Sequence, residues 1–220
     1  MAKTYILFDL DGTISDPKVG ITKSVQFSLN SQGIEVEDAD TLTHFIGPPL
    51  RDSYKLYYGF NDEETERVVE KYREYFSEKG IFENNLYEGM DILLKTLSGM
   101  GKQLIIATSK PTVYAEIILK HFEISQYFSF VSGSELDGRR SKKSEIIKYA
   151  FDNMGITAAE EAIMIGDREH DIIGANEMGI DSIGVLYGYG NLRELTDARA
   201  TFIVENVGDI GELLWNGNRD

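Results

Sequence analysis

Residues 5–13 read Tyr5-Ile6-Leu7-Phe8-Asp9-Leu10-Asp11-Gly12-Thr13, and the fold turns on them. Tyr5 to Phe8 is a short aromatic and aliphatic run of the kind that forms a buried strand, and Gly12 stops it. Asp9 and Asp11 stand at its carboxyl end. Two residues apart on an extended backbone, their side chains point to the same side, so one small volume receives two negative charges. Taken alone, an Asp-x-Asp-Gly sequence is as well explained by a polar turn. The choice between the two rests on the rest of the chain.

From about residue 87 onward, apolar runs alternate with helical patterns. Strands are expected at Leu104 to Ala107, Phe128 to Ser132, Ala162 to Ile165 and Ser182 to Val185, with a short one near Phe202 to Val204. Helices are expected at Met90 to Leu97, Val113 to Phe122 and Glu145 to Met154, after Asp171, and in a last stretch ending around Trp215. Such alternation predicts an α/β fold, a doubly wound parallel (Rossmann-like) sheet with helices on both faces. Ligands of these sheets bind beyond the carboxyl ends of the strands, where Asp9, Thr108 and Asp167 all fall. Residues 16–83 carry no strand pattern. A helix follows Asp16-Pro17 and ends by Gly33, another begins in the acidic stretch after Asp62 and runs toward Gly80, and Gly47-Pro48-Pro49 breaks the segment. The expected organisation is an α/β core formed by residues 1–15 and 84–220, with a helical unit, residues 16–83, inserted into it.

Composition narrows the function. The 220 residues are 42% hydrophobic and 11% aromatic, as in a folded globular protein, and the formal net charge of −15 works against nucleic-acid binding. A small anionic substrate is compatible with that charge, since a metal and a few placed cations reverse the local field. No cysteine is present, which excludes disulfides, thiolate catalysis and Cys-ligated zinc. Met-Ala-Lys leads directly into the first strand, and no apolar run approaches the roughly twenty residues of a membrane span, so a cytoplasmic protein without a membrane partner is expected.

Gly166-Asp167-Arg168-Glu169-His170-Asp171 follows the apolar run Ala162 to Ile165, bringing two more carboxylates to the edge where Asp9 and Asp11 stand. Four carboxylates at strand ends call for a divalent cation, and oxygen-only ligands suit Mg²⁺. Lys110 and the pair Lys142-Lys143 supply positive charge; Thr108 and Ser109 supply hydroxyls. Together they describe a pocket for a phosphate ester.

These residues resemble the haloacid dehalogenase-like phosphohydrolases. Asp9-x-Asp11-Gly12-Thr13 matches the first motif of that superfamily, Thr108 the second, Lys143 the third, and Gly166-Asp167 with Asp171 the fourth. The helical insertion resembles the cap of the phosphoglycolate phosphatase-like branch. The resemblance implies that Asp9 attacks phosphorus to give an aspartyl-phosphate, and that Asp11 protonates the leaving group and then activates water. Thr108 and Lys143 would hold the transferring oxygens. Asp9, the backbone carbonyl of Asp11 and Asp167 would bind Mg²⁺, with Asp171 completing the acidic set and orienting Lys143 or a metal-bound water. Ser109, Lys110, Gly12 and, from the cap, Arg51 are the expected substrate contacts. Lys142 competes with Lys143 for the third motif, because Ser144 stands where relatives often carry Pro. Ser109 replaces an Asn common in phosphoglycolate phosphatases. The implied activity is a Mg²⁺-dependent phosphatase of small monoesters such as phosphoglycolate or nucleoside monophosphates, working as a monomer or homodimer. A β-phosphoglucomutase-type mutase and a non-catalytic binder of phosphorylated ligands are the alternatives. The cap is expected to close by hinging near Asp16 and near Asn84 to Gly89.

Overall fold

A computed structural model describes residues 3–215. Strands β1 (Tyr5–Phe8), β4 (Gln103–Pro111), β5 (Phe128–Ser134), β6 (Ala162–Gly166), β7 (Asp181–Val185) and β8 (Phe202–Val204) form one parallel sheet in the order β5-β4-β1-β6-β7-β8. The doubly wound sheet predicted from the alternation is present. Its apolar runs are continuous because both faces are covered. Ile6 and Phe8 of β1 face one apolar cluster, which continues through α4 (Met90–Gly99), α5 (Thr112–His121) and α9 (Val207–Trp215). Leu7 turns to the other side, against α6 (Lys143–Met154) and α7 (Glu169–Glu177).

β1 lies between β4 and β6, with Phe8 in register with Ile106 and Ile165. The chain runs outward from β1 in both directions, so a crevice opens beyond the carboxyl ends of these three strands. β4 is longer than expected. It continues past Ala107 to Pro111 by slipping register against β5, so Thr108, Ser109 and Lys110 lie on an irregular strand end rather than in a loop.

Beyond Asp11 the chain forms β2 (Ser15–Asp16), which pairs antiparallel with β3 (Asn85–Leu86) in a two-stranded ribbon. Between them lie α1 (Lys18–Asn30), a 3₁₀ stretch Ala39–Phe45, α2 (Leu50–Tyr58) and α3 (Asp62–Glu78). Asn61 and Glu64 form a reciprocal capping box at the start of α3, the acidic helix start anticipated there. α1 packs closely on the 3₁₀ turn Gly80–Phe82 that follows α3, because Gly20 and Gly80 let the backbones touch: a Cβ on Gly20 would stand 1.9 Å from the Gly80 carbonyl oxygen. The stretch Tyr54-Lys55-Leu56-Tyr57-Tyr58 on α2 divides. Tyr54 is buried and hydrogen-bonds Ser28, while Leu56 is 74% exposed.

Candidate active site

Asp9 follows β1 directly, its amide donating to the carbonyl of Ile165 at 2.8 Å, so its side chain emerges between β4 and β6. The carboxylate oxygen Oδ1 accepts from the amide of Leu10 at 2.8 Å and stands 3.1 Å from Lys143 Nζ. Lys143 is the first residue of α6 and is buried. Its Nζ also meets Asp171 at 2.7 Å and donates to the carbonyl of Ala107 at 2.9 Å. Burial opposes its charge, yet Asp171 and Asp9 hold it above the ordinary lysine range. The neighbouring Lys142 is exposed.

Asp9, Asp167 and Asp171 are all buried, and each offers one oxygen within 4.8 Å of the others. Burial pushes Asp167 well above the usual carboxylate range, and Asp171 and Asp9 add to the shift. Burial likewise pushes Asp171 up to about 6, against the pull of Lys143. Three such carboxylates stay ionised together only beside concentrated positive charge, and an all-oxygen donor set of this kind fits Mg²⁺. Outer contacts fix the set. Thr13 donates its hydroxyl to Asp167 Oδ1 at 3.3 Å, the Tyr189 amide donates to Asp167 Oδ2 at 2.7 Å, and the Arg168 amide donates to Asp171 Oδ2 at 3.1 Å.

The Asp11 side chain stands apart from this triad. Its Oδ2 meets Lys110 Nζ at 2.7 Å, and its buried Oδ1 has no hydrogen-bond partner. Burial raises its pKa, and Lys110 is the main opposing influence. Lys110 in turn stands 4.6 Å from the centre of the Phe76 ring on α3.

Gly12 and Gly188 are among the glycines that this packing demands. Gly12 has φ +82°, and a Cβ there would stand 2.3 Å from Asp167 Oδ2. Gly188, in the loop after β7, would place a Cβ 2.4 Å from the Asp167 Cβ. That loop also carries Tyr189, whose hydroxyl bonds Asp16 on the ribbon, and Tyr187, whose hydroxyl donates to the Thr13 carbonyl at 2.9 Å. Tyr187, Gly188 and Tyr189 were not singled out from the sequence, although the repeated Tyr187-Gly188-Tyr189-Gly190 beyond an apolar run marks a tight aromatic loop.

A cavity of about 180 Å³ opens over Asp9 and Asp11. Thr108, Ser109 and Lys110 line its sheet side; Arg51, Lys55, Tyr72, Arg73 and Phe76 line it from the inserted helices. Thus Asp9, Asp11, Thr108, Ser109, Lys110 and Arg51 share one space, while Lys143, Asp167 and Asp171 flank Asp9. Arg51 is not free there: it grips Glu66 through bonds of 2.5 and 2.8 Å. The inserted helices meet the sheet side at two backbone carbonyls. Arg168 donates to Ile46 at 2.7 Å, and Leu136, in the segment after β5, accepts from Arg73 at 2.6 Å and from Arg51 at 3.2 Å. His44 packs edge-on against Tyr57, and the half-buried His170 makes no hydrogen bond to the acidic set.

The chain resembles several known proteins over nearly its whole length. It is 44% identical over 209 residues to a 5'-nucleotidase of Pseudomonas aeruginosa, covering 95% of this chain and 94% of that protein. It is 36% identical to the tyrosine-protein kinase PtkA of Mycobacterium tuberculosis, covering 94% of this chain and 70% of that one. A solved structure of a predicted phosphatase from Clostridium acetobutylicum superposes with a TM-score of 0.95 at 46% identity, covering 98% of this chain and 100% of that chain. Residues 6–185 match the family model for haloacid dehalogenase-like hydrolases, and this span holds the Asp9 pair, Thr108, Lys143, Asp167 and Asp171. The chain belongs to the haloacid dehalogenase-like hydrolase family.

Proposed function

We propose that the protein is a Mg²⁺-dependent phosphatase that hydrolyses small phosphate monoesters through an aspartyl-phosphate on Asp9. One observation carries the reading. A buried carboxylate braced by Lys143 shares a cavity with a second carboxylate, Asp11, braced by Lys110. A phosphate monoester dianion can approach a carboxylate only where positive charge and hydrogen-bond donors offset the repulsion. Asp9, Asp167, Asp171 and the Asp11 carbonyl would hold Mg²⁺, which would supply most of that charge.

The chain's own residues then divide the work. Oδ1 of Asp9 is held by Leu10 and Lys143, which leaves Oδ2 to attack phosphorus. As that bond forms, the ester P–O bond breaks, and Asp11 gives its proton to the departing oxygen. Burial prepares Asp11 for this step by favouring its protonated form. In the second half Asp11 takes a proton from water as the water attacks phosphorus, freeing phosphate and Asp9. Thr108 and Lys143 hold the phosphoryl oxygens, and Ser109, Lys110 and the Gly12 turn border the ester. Residues 16–83 act as a cap on the core of residues 1–15 and 84–220, excluding water while the reaction runs. The similarity to a 5'-nucleotidase supports a soluble phosphorylated metabolite as substrate.

The test is phosphate release from p-nitrophenyl phosphate with and without Mg²⁺. Asp9→Asn should lose roughly a thousandfold or more of kcat, as removal of a nucleophile does. Mg²⁺-independent release, or an undiminished Asp9→Asn protein, would refute the reading.

A further inference from the structure

Four cations line the cavity: Arg51, Lys55, Arg73 and Lys110. Three have a carboxylate of their own. Arg51 holds Glu66 at 2.5 Å, Lys55 meets Asp62 at 2.7 Å, and Lys110 meets Asp11 at 2.7 Å. Among the described residues Arg73 has no carboxylate at ion-pair distance. Its guanidinium donates instead to a neutral acceptor, the Leu136 carbonyl, at 2.6 Å.

Burial lowers the pKa of Arg73, and the neighbouring Arg51 lowers it further. Two guanidinium groups converge on one carbonyl; of the carboxylates near Arg73, Glu66 is gripped by Arg51 and Glu70 makes no ion pair with Arg73. A charge held half out of water with no carboxylate in contact is costly, and the cost falls when an anion arrives. The planar fork of arginine matches a carboxylate or phosphate with two parallel hydrogen bonds. Helix geometry aims it inward: Val69, Tyr72, Arg73 and Phe76 fall three and four residues apart on α3, and all four line the cavity. At about 180 Å³ the space is smaller than the roughly 300 Å³ where pockets for larger ligands begin, so a small leaving group suits it.

We infer that Arg73 determines substrate specificity by receiving a second anionic group, a carboxylate or phosphate, carried on the leaving group of a small phosphate ester. The inference rests on the phosphatase reading above and adds the substrate class. Arg51 lies beside this subsite with its charge already answered by Glu66.

Two esters of matched size test it: 2-phosphoglycolate, and 2-hydroxyethyl phosphate, in which a hydroxymethyl group replaces the carboxylate. The unaltered protein should favour 2-phosphoglycolate in kcat/KM by roughly tenfold to a hundredfold, the range of a hydrogen bond to a charged group. Arg73→Gln should erase that preference by lowering kcat/KM for the anionic ester alone. Arg73→Lys keeps the charge and should retain part of the preference, which guards against a misfolded glutamine variant. Equal losses on both esters in both variants would mean that Arg73 only joins the helices to Leu136, and would overturn the inference. So would a parent enzyme that turns over both esters equally well. A parent that releases phosphate from p-nitrophenyl phosphate with Mg²⁺ but from neither ester would overturn this inference alone, and one that releases none from any of the three would overturn the phosphatase reading as well.

Discussion

Replacing Lys143 with methionine removes a charge while keeping the length of the side chain. Lys143 Nζ stands 2.7 Å from Asp171 and 3.1 Å from Asp9, and all three residues are buried. Breaking a buried ion pair by deleting one partner leaves the other charge uncompensated and costs about 3–5 kcal/mol. In a chain of this size each kcal/mol moves the melting temperature by about 2–4 °C, so Lys143→Met should melt about 6–20 °C below the parent. Lys142→Met, one residue away and exposed, is the control and should change stability by less than about 0.5 kcal/mol. Proton linkage gives the deficit a pH signature. Asp171 already lies at about 6 because burial outweighs the lysine. Without Lys143 its folded pKa moves further above the unfolded value, and the folded state then binds the proton more tightly. Stability is therefore lost as pH rises through that interval, and the gap between variant and parent widens above pH 6. Mg²⁺ should restore part of the loss by neutralising Asp9 and Asp171. Calorimetric melting of the three proteins across pH, with and without Mg²⁺, reads all of this. A Lys143→Met protein that melts within about 2 °C of the parent, or matches Lys142→Met, would refute the account of the buried cluster.

Two further changes probe the same floor of the site. Gly12→Ala forces a left-handed backbone that costs about 1–2 kcal/mol, and its methyl group displaces Asp167. Mg²⁺ affinity, read as the midpoint of a thermal-shift titration, should weaken by roughly tenfold to a hundredfold, and an unchanged midpoint would count against Asp167 as a ligand. Lys110→Met removes the main influence that lowers the Asp11 pKa. An acid must hold its proton to act, so activity falls as pH rises through that pKa. The alkaline limb of the kcat/KM profile should therefore move to higher pH in the variant, and movement to lower pH would contradict the acid role.

The sheet and its acidic edge were legible because they rest on local signals. Tyr5 to Phe8 and Ala162 to Ile165 are apolar runs too short for helices, and the carboxylates after them share an edge once the strands run parallel. The helical character of residues 16–83 was legible for the same reason. Contacts made across long sequence distances were not. The ribbon strands are two residues each, too short for any periodicity, and appear only when Ser15 meets Leu86. Arg73 reads in sequence as one more polar position on a charged helix; its meaning comes from Leu136, 63 residues away. Tyr189 is tied to Asp167 and Asp16 by bonds spanning 22 and 173 residues. The extension of β4 to Pro111 depends on β5 continuing beside it, which no property of Thr108 or Ser109 announces.

The two-residue ribbon has a consequence for how such a protein can diversify. Ser15 and Asp16 lie beside Leu86 and Asn85 as paired strands, so the departing and returning chains are separated by one strand spacing, roughly 5 Å. Whatever is spliced between those points need only begin and end side by side; its length and internal path are free. An insertion exchanged there leaves the register of β4, β1 and β6 untouched, because none of their pairings crosses it. The acidic edge and the helices above it can thus be inherited and replaced on separate evolutionary schedules, like a tool head changed on a fixed handle.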